Sequence, residues 1–190
     1  MSGRQEPSTA SLQQSHARAQ PTTWSPRDEA GWAAVQLAFS LEAGWRPPDV
    51  PSPIPLYGDE RYIQSAEFRL LAFAEQNRWR YMNAGTLHVT TRRFGLQGVS
   101  GWNDIVYSDV RASETFTDGL VVYVAGHPPL KLAVAWPEYL SVLFDFLAHG
   151  RIRRPVVDAD LLAKALAVGK EVPHELQTQK NQPELGEQTQ

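Results

Sequence analysis

Histidine is the residue type in this chain best suited to acid–base chemistry near neutral pH and to metal binding. The five histidines stand at positions 16, 88, 127, 149 and 174. No two of them show the His-x-His or His-x₃-His spacing that brings two imidazoles to one metal ion. Cysteine is absent, which excludes thiolate metal sites and thiol nucleophiles. The sequence therefore predicts neither a metal site nor a cofactor.

The loops that commonly carry catalysis are also missing. There is no Gly-x-Ser-x-Gly elbow, and the glycines of "GLQGVSGW" are followed by neither a lysine nor a predicted helix. Four acidic residues could supply a carboxylate pair for general acid–base work, namely Asp104, Asp109, Glu114 and Asp118. The polar turns of any β-domain provide as many, so we interpret them as solvated turn residues and expect no catalytic residue.

Arginines offer a third kind of chemistry, the binding of anions. Arg92 and Arg93 are adjacent, and Arg151, Arg153 and Arg154 form the densest positive cluster of the chain. Such clusters can bind phosphate or an anionic membrane surface. Neighbouring residues of a strand point to opposite faces, so Arg92 and Arg93 do not easily hold one phosphate together. All five are candidate ligand-binding residues.

The composition predicts a soluble, cytoplasmic protein with one domain and appendages. Of the 190 residues, 42% are hydrophobic and 21% are charged, close to the globular average. A net charge of −3 provides no basic field, so no nucleic-acid partner is expected. The first 24 residues lack the apolar core of a signal peptide, and no run reaches the length of a membrane span.

The composition of the two ends and of the first part of the chain predicts two tails, a helix and a linker. Residues 1–24 and 170–190 are polar and are predicted to be disordered tails. Residues 25–45 predict a helix with Ser25 as N-cap and Gly44 as its stop. Residues 46–55 contain five prolines and predict an extended linker.

The predicted first helix is apolar around most of its surface, so it must be covered. One side carries Trp32, Val35 and Phe39. Two alternatives stay open for what buries this apolar surface. The helix packs on its own domain, or it docks through these three residues onto a partner or a second copy of the chain.

Residues 56–150 show the period-two pattern of strands and end in one amphipathic helix. The predicted strands are Thr86–Thr91, Arg93–Leu96, 102–110, 119–126 and 130–136, and the helix is Pro137–His149. The segment Arg61–Gln76 alternates like a strand but has a helix-favouring composition, so both structures stay open for it. Residues 151–169 add the basic turn and a last helix that begins after Asp158.

Several motifs occur in a characteristic order within residues 56–150. A strand ends in leucine-x-valine-threonine at Thr90, and Arg93 with an apolar residue follows three positions later. Trp102-x-x-Ile105 and the Asp118-Gly119 hairpin come next, and the Pro137–His149 helix closes the region. This order resembles GRAM and bacterial pleckstrin-homology-like (PH-like) domains.

The resemblance implies an α+β, mainly β, fold: an antiparallel meander or split barrel capped by a helix, with an extra helix at each end. It implies that Thr90 and Arg93 brace a strand–turn–strand corner. Thr91 departs from the pattern, because the family usually has asparagine there.

The resemblance also implies a non-catalytic module that binds a protein or peptide. Two alternatives stay open: peripheral binding to anionic lipid through the basic cluster, and a small enzyme with a site at the mouth of the β-domain. A homo-oligomer is a further alternative for the partner.

Overall fold

The computed structural model describes residues 23–74 and 78–179 of the chain, which form one antiparallel seven-stranded sheet with helices packed on it. The strands are β1 Tyr62–Ala74, β2 Arg78–Thr90, β3 Arg93–Gly98, β4 Gly101–Val106, β5 Val110–Phe116, β6 Gly119–Val124 and β7 Leu130–Ala133. The helices are α1 Pro26–Glu42, α2 Pro137–His149, α3 Ala159–Ala167 and α4 His174–Gln179. The expected mainly-β α+β fold with flanking helices is confirmed.

The sheet has the order β4-β3-β2-β1-β7-β6-β5, so β1 lies at its centre. β1 pairs with β2 from Tyr62 to Ala74 but with β7 only from Arg69 to Ala72. The sheet is therefore split beside the first half of β1, and this opening forms the site described below.

The segment Arg61–Gln76, for which strand and helix were both open, contains strand β1. Phe68 is buried in the main core, while Glu67 and Arg69 on either side of it are exposed, as a period of two requires. Pairing along β2 outweighs the helix preference of its alanines and leucines, since local propensity yields to tertiary context. Glu75 and Gln76 lie outside the described residues.

The predicted strand 102–110 is wrong as one element. It contains β4, a 3₁₀ turn at Tyr107–Asp109 and the start of β5. The turn carries the chain from one edge of the sheet to the other, which a single straight strand could not do. Tyr107 is buried against Phe144 of α2, with ring centroids 5.7 Å apart, and anchors the crossing.

The main core lies between the sheet and helices α1 and α2. Phe94 of β3 stacks on Phe144 of α2 with ring centroids 4.8 Å apart. Leu37 and Leu41 of α1 belong to the same cluster. α1 begins as predicted: Ser25 accepts a hydrogen bond from the Asp28 amide, and the Asp28 carboxylate accepts one from the Ser25 amide.

The predicted C-terminal tail at 170–190 needs correction for its first ten residues. Val172 is buried beside Trp32 in a second apolar cluster, and His174–Gln179 form α4. Burial of Val172, with Leu176 packed on the same cluster, contributes to the free energy that orders this segment. Residues 180–190 and 1–22, where tails were predicted, lie outside the described part of the chain.

Two glycines offer a matched test of this packing. A Cβ on Gly119 would stand 2.3 Å from the carbonyl oxygen of Leu132, whereas a Cβ on Gly31 of α1 would make ordinary contact with Leu161 at 3.7 Å. We expect Gly119→Ala to lower the free energy of unfolding by about 1–3 kcal/mol. Gly31→Ala should raise it by about 0.5–1 kcal/mol. Urea denaturation measures both, and a change of the same sign in the two variants would contradict this packing.

Candidate functional site

An open groove lies where the sheet is split beside β1. We call it the β1 groove, and its volume is about 950 Å³, within the usual range of ligand pockets. Its lining comes from β1, β2, the turn before β6, the end of β7 and α2: residues 64–69, 84–86, Asp118, 133–136 and Leu140.

The groove opens because the chain leaves the sheet after Ala133. β7 stops there, and Trp136 already caps the start of α2. Along the described part of the chain, no other strand lies beside Tyr62–Phe68 on this side. The prediction that 130–136 is one strand is therefore wrong at its end, because Pro137 begins a helix. Trp136, at the end of this range, is 43% exposed.

Backbone groups of β1 face the groove. The amide of Phe73 donates to the carbonyl of Pro129 on the β7 side. Because amide and carbonyl directions alternate along a strand, those of Ser65 and Glu67 point to the same side. The free half of β1 thus offers unpaired strand donors and acceptors.

The two sides of this edge differ in polarity. Phe68 and Ala66 lie on the face that packs towards Leu140 of α2, while Ser65 and Glu67 lie on the outer, exposed face. Trp136 stands at the rim, with its ring 6.0 Å from that of Tyr139. An extended segment placed here would find an apolar side and a polar side.

Asp118 is the second carboxylate of the groove. Its hydrogen bond from Lys131, at 2.8 Å, lowers the pKa of the Asp118 carboxyl. Asp118 is therefore ionised at neutral pH and suits charge pairing better than proton donation.

The predicted Thr90–Arg93 corner forms a separate, buried network. Thr90 Oγ1 accepts hydrogen bonds from the amides of Arg92 and Arg93 at 3.2 and 3.1 Å. It also donates to Glu60 Oε1 at 2.6 Å. The structural role expected for Thr90 at this turn is thus present.

The Arg93 guanidinium is held inside this network. Its guanidinium donates to Glu60 at 2.9 Å, to Asp104, and to the carbonyl of Pro55 at 2.8 Å, and it lies 4.5 Å from the ring of Tyr57. The side chain is 7% exposed and that of Glu60 only 1%. Arg93 therefore ties the segment before β1 to β3 and β4, and its burial in these bonds leaves little of the guanidinium accessible to an outside anion.

The ionisation of Glu60 follows from the same contacts. Burial raises the pKa of the Glu60 carboxyl, but hydrogen bonds from Arg93, Thr90 and the Tyr57 amide lower it, and the net pKa lies below its ordinary value of 4.5. The pair is charged at neutral pH and braces the corner.

The other predicted anion ligands do not converge. Arg92 is 59% exposed and pairs with exposed Asp59 at 3.0 Å, so it lies apart from buried Arg93.

In the C-terminal basic cluster, Arg154 makes two bonds to Glu42, at 2.7 and 2.8 Å. Arg153 donates to Ser141 at 3.1 Å and lies 3.6 Å from Asp145. Arg151 is exposed, so carboxylates compensate two of the three charges in the basic cluster.

The three predicted docking residues of α1 are covered within the chain. Trp32 and Val35 are 0% and 1% exposed and pack against Ala165 of α3. Phe39 is half-buried, with the Arg154 guanidinium 5.4 Å from its ring. Docking of a partner on these residues would require α3 to move away, and that role stays a prediction.

The carboxylates considered for catalysis are spread over separate contacts. Asp104 bonds Arg93, Glu114 accepts from Tyr123, and Asp118 pairs with Lys131. Within residues 23–74 and 78–179, no group of three or more His, Asp or Glu side chains is placed to hold a metal ion. No helix of this described part is both long and apolar enough to cross a membrane.

Sequence reasoning missed the β1 groove. It depends on where β7 leaves β1, which is a contact between residues more than 60 positions apart. The one local signal was Trp136-Pro137, since proline ends a strand and suits the first turn of a helix.

Comparisons with known proteins add little. No protein-family model matches the chain, and no curated protein matches it. Among solved structures, the chain is similar to the C-terminal domain of an unknown protein from Leishmania infantum, with 14% identity and a TM-score of 0.35. The match covers 60% of this chain and 93% of that one. So remote a likeness carries no argument about function.

Proposed function

We propose that this protein is a non-catalytic, PH-like binding module that takes an extended segment of a partner protein along the free half of β1. The observation that carries the proposal is the unpaired edge at Tyr62–Phe68 inside a groove of about 950 Å³. In strand addition, main-chain hydrogen bonds supply affinity and alternate side-chain pockets supply specificity.

The rest of the fold supports this proposal. The seven-stranded meander followed by α2 agrees with what the GRAM-like resemblance implies for residues 56–150. The buried Arg93–Glu60 pair holds the entry to β1 in place, which keeps its free edge ordered for a ligand. The cytoplasmic location expected from the sequence belongs to this proposal, and cell fractionation tests it.

The alternatives have less support. Lipid binding through Arg151, Arg153 and Arg154 is weakened because Arg153 and Arg154 already pair with Asp145 and Glu42. An enzyme would need convergent polar groups in the groove. The titratable side chains that line it are Glu67, Arg69 and Asp118, and Asp118 is paired.

Peptide selection tests the proposal directly. A display library of random eight-residue peptides is selected on the immobilised full chain, and hydrogen exchange of the Ser65 and Glu67 amides is followed by NMR. We expect enriched peptides to slow exchange at these two amides. Ser65→Pro, which removes one groove-facing amide but spares the β2 ladder, should weaken binding by about three- to tenfold, the loss of one backbone hydrogen bond.

The matched control is Ser65→Ala, which keeps the amide and should bind like the unmodified chain. Thermal unfolding of Ser65→Pro checks that the variant is folded. The proposal fails if no peptide is enriched, or if enriched peptides bind Ser65→Pro as tightly and leave both amides unprotected.

A further inference from the structure

We infer that the β1 groove selects segments in which apolar residues alternate with polar ones, with a basic residue at the polar position opposite Glu67. This inference rests on the proposed function and concerns the chemistry of the ligand. It follows from the side chains that border the free half of β1 and from the charge that each face presents.

A strand added beside β1 has its side-chain directions set by the pleat. Residues that lie opposite each other on paired strands point to the same face of the sheet. Ligand side chains on the inner face would therefore enter the space bordered by Ala66, Leu140 and Trp136. This space is lined by alanine and large apolar side chains, so it suits apolar ligand residues at every second position.

The outer face of the free half carries one charge, and it is negative. Ser65 and Glu67 are the outward residues there, and both are exposed. No ion pair joins Glu67 to the described residues, unlike Asp118, which holds Lys131 at 2.8 Å. A ligand residue opposite Glu67 is therefore favoured if it is lysine or arginine, because opposite charges directly across a strand pair attract.

Arg69 does not reverse this preference. It follows Glu67 on the same face, but its pairing position is already filled by Ala133 of β7. A ligand strand must stop before that position, so Glu67 is the last charge that it meets directly. The groove thus favours one basic ligand residue, at the position opposite Glu67, with apolar residues on either side of it.

The test uses four eight-residue peptides and fluorescence anisotropy with the full chain. The peptides are alternating Val-Lys, Val-Ser and Val-Glu, and a shuffled Val-Lys peptide of the same composition. We expect the affinity order Val-Lys, Val-Ser, Val-Glu, with steps of about two- to fivefold, the size of one cross-strand charge pair. The shuffled peptide should bind more weakly than the alternating one.

Charge reversal identifies the residue responsible. Glu67→Lys should invert the order, so that Val-Glu binds tighter than Val-Lys, and Glu67→Gln should remove the difference. Glu171→Lys changes the net charge equally at an exposed residue outside the groove and should keep the original order.

The failures are distinguishable. Equal binding of the three alternating peptides, or an order unaffected by Glu67→Lys, overturns the basic preference and leaves strand addition standing. Equal binding of shuffled and alternating peptides overturns the apolar alternation. If library peptides bind but none of these four does, the inference is wrong, and if neither set binds, the proposed function is wrong as well.

Discussion

Replacing Arg93 by alanine is expected to lower the free energy of unfolding by about 3–5 kcal/mol, the usual cost of breaking a buried ion pair from one side. The reason is the position of Glu60, whose side chain is 1% exposed and whose carboxylate would lose its guanidinium partner. The substitution also removes the hydrogen bonds to Asp104 and to the carbonyl of Pro55. Urea denaturation of the two chains measures the difference.

The neighbouring arginine is the matched control. Arg92 pairs with Asp59, but the two side chains are 59% and 84% exposed. Arg92→Ala should therefore change the free energy of unfolding by less than about 0.5 kcal/mol. If both substitutions cost the same, the corner is not a buried ion-pair network. Should Arg93→Ala fail to fold, Arg93→Lys takes its place, because it keeps the charge but loses the fork of donors. We expect it to lower the free energy of unfolding by an amount between those of Arg92→Ala and Arg93→Ala.

The same pair predicts how stability depends on pH. The folded pKa of Glu60 lies below its ordinary value of 4.5, so the unfolded chain takes up a proton first as pH falls. Glu60 therefore contributes stability above about pH 4.5 that is lost as pH drops through its folded pKa. The fall in stability below pH 4.5 should be shallower in Glu60→Gln, since other carboxylates alone remain to titrate. An identical fall in both chains would contradict this assignment.

A chain that begins at Ser52 is expected to lose amide protection throughout the sheet. It lacks α1, whose Leu37 and Leu41 belong to the same core as the strands and α2. Removing even one of these side chains, as in Leu37→Ala, should cost about 2–5 kcal/mol, so loss of the whole helix exceeds ordinary domain stability. Starting at Ser52 keeps Ile54 and the carbonyl of Pro55, so the Arg93 network is not cut directly.

Hydrogen exchange measures the amide protection, and light scattering on the same samples measures the oligomeric state. A chain that begins at Thr23 is the control and should keep the amide protection and the oligomeric state of the full chain. A folded, monomeric chain from Ser52 on, beside a dimeric full chain, would contradict the core role of α1. It would show instead that α1 docks on a second copy of the chain, which is the other way in which its apolar surface can be buried.

Local signals were sufficient for helices α1, α2 and α3, but not for α4. Ser25 caps α1, Asp158 caps α3, and Gly150 and Gly169 adopt positive φ angles just after α2 and α3. These signals act between residues a few positions apart, so they can be recognised without a fold. The Thr90 turn belongs to the same class, since its hydroxyl bonds amides two and three residues ahead.

The partners of charged residues could not be found in this way. Arg93 meets Glu60 across 33 positions, and Arg154 meets Glu42 across 112. Both arginines appeared as candidate anion ligands because the sequence does not show that a carboxylate already fills the place of the anion. Trp32 appeared as a docking residue for the same reason, since α3 covers it from far along the chain.

By itself the sequence determined helices α1 to α3, the mainly-β character of residues 56–150 and the Thr90 corner, because capping, alternation and turn chemistry are short-range effects. Only the tertiary structure decided that Arg61–Gln76 contains the central strand, and that β7 leaves it at Arg69 to open the β1 groove. The physical reason is that a strand has no stable partner-free form in water. Which edge is paired and which stays free is settled by contacts between distant residues.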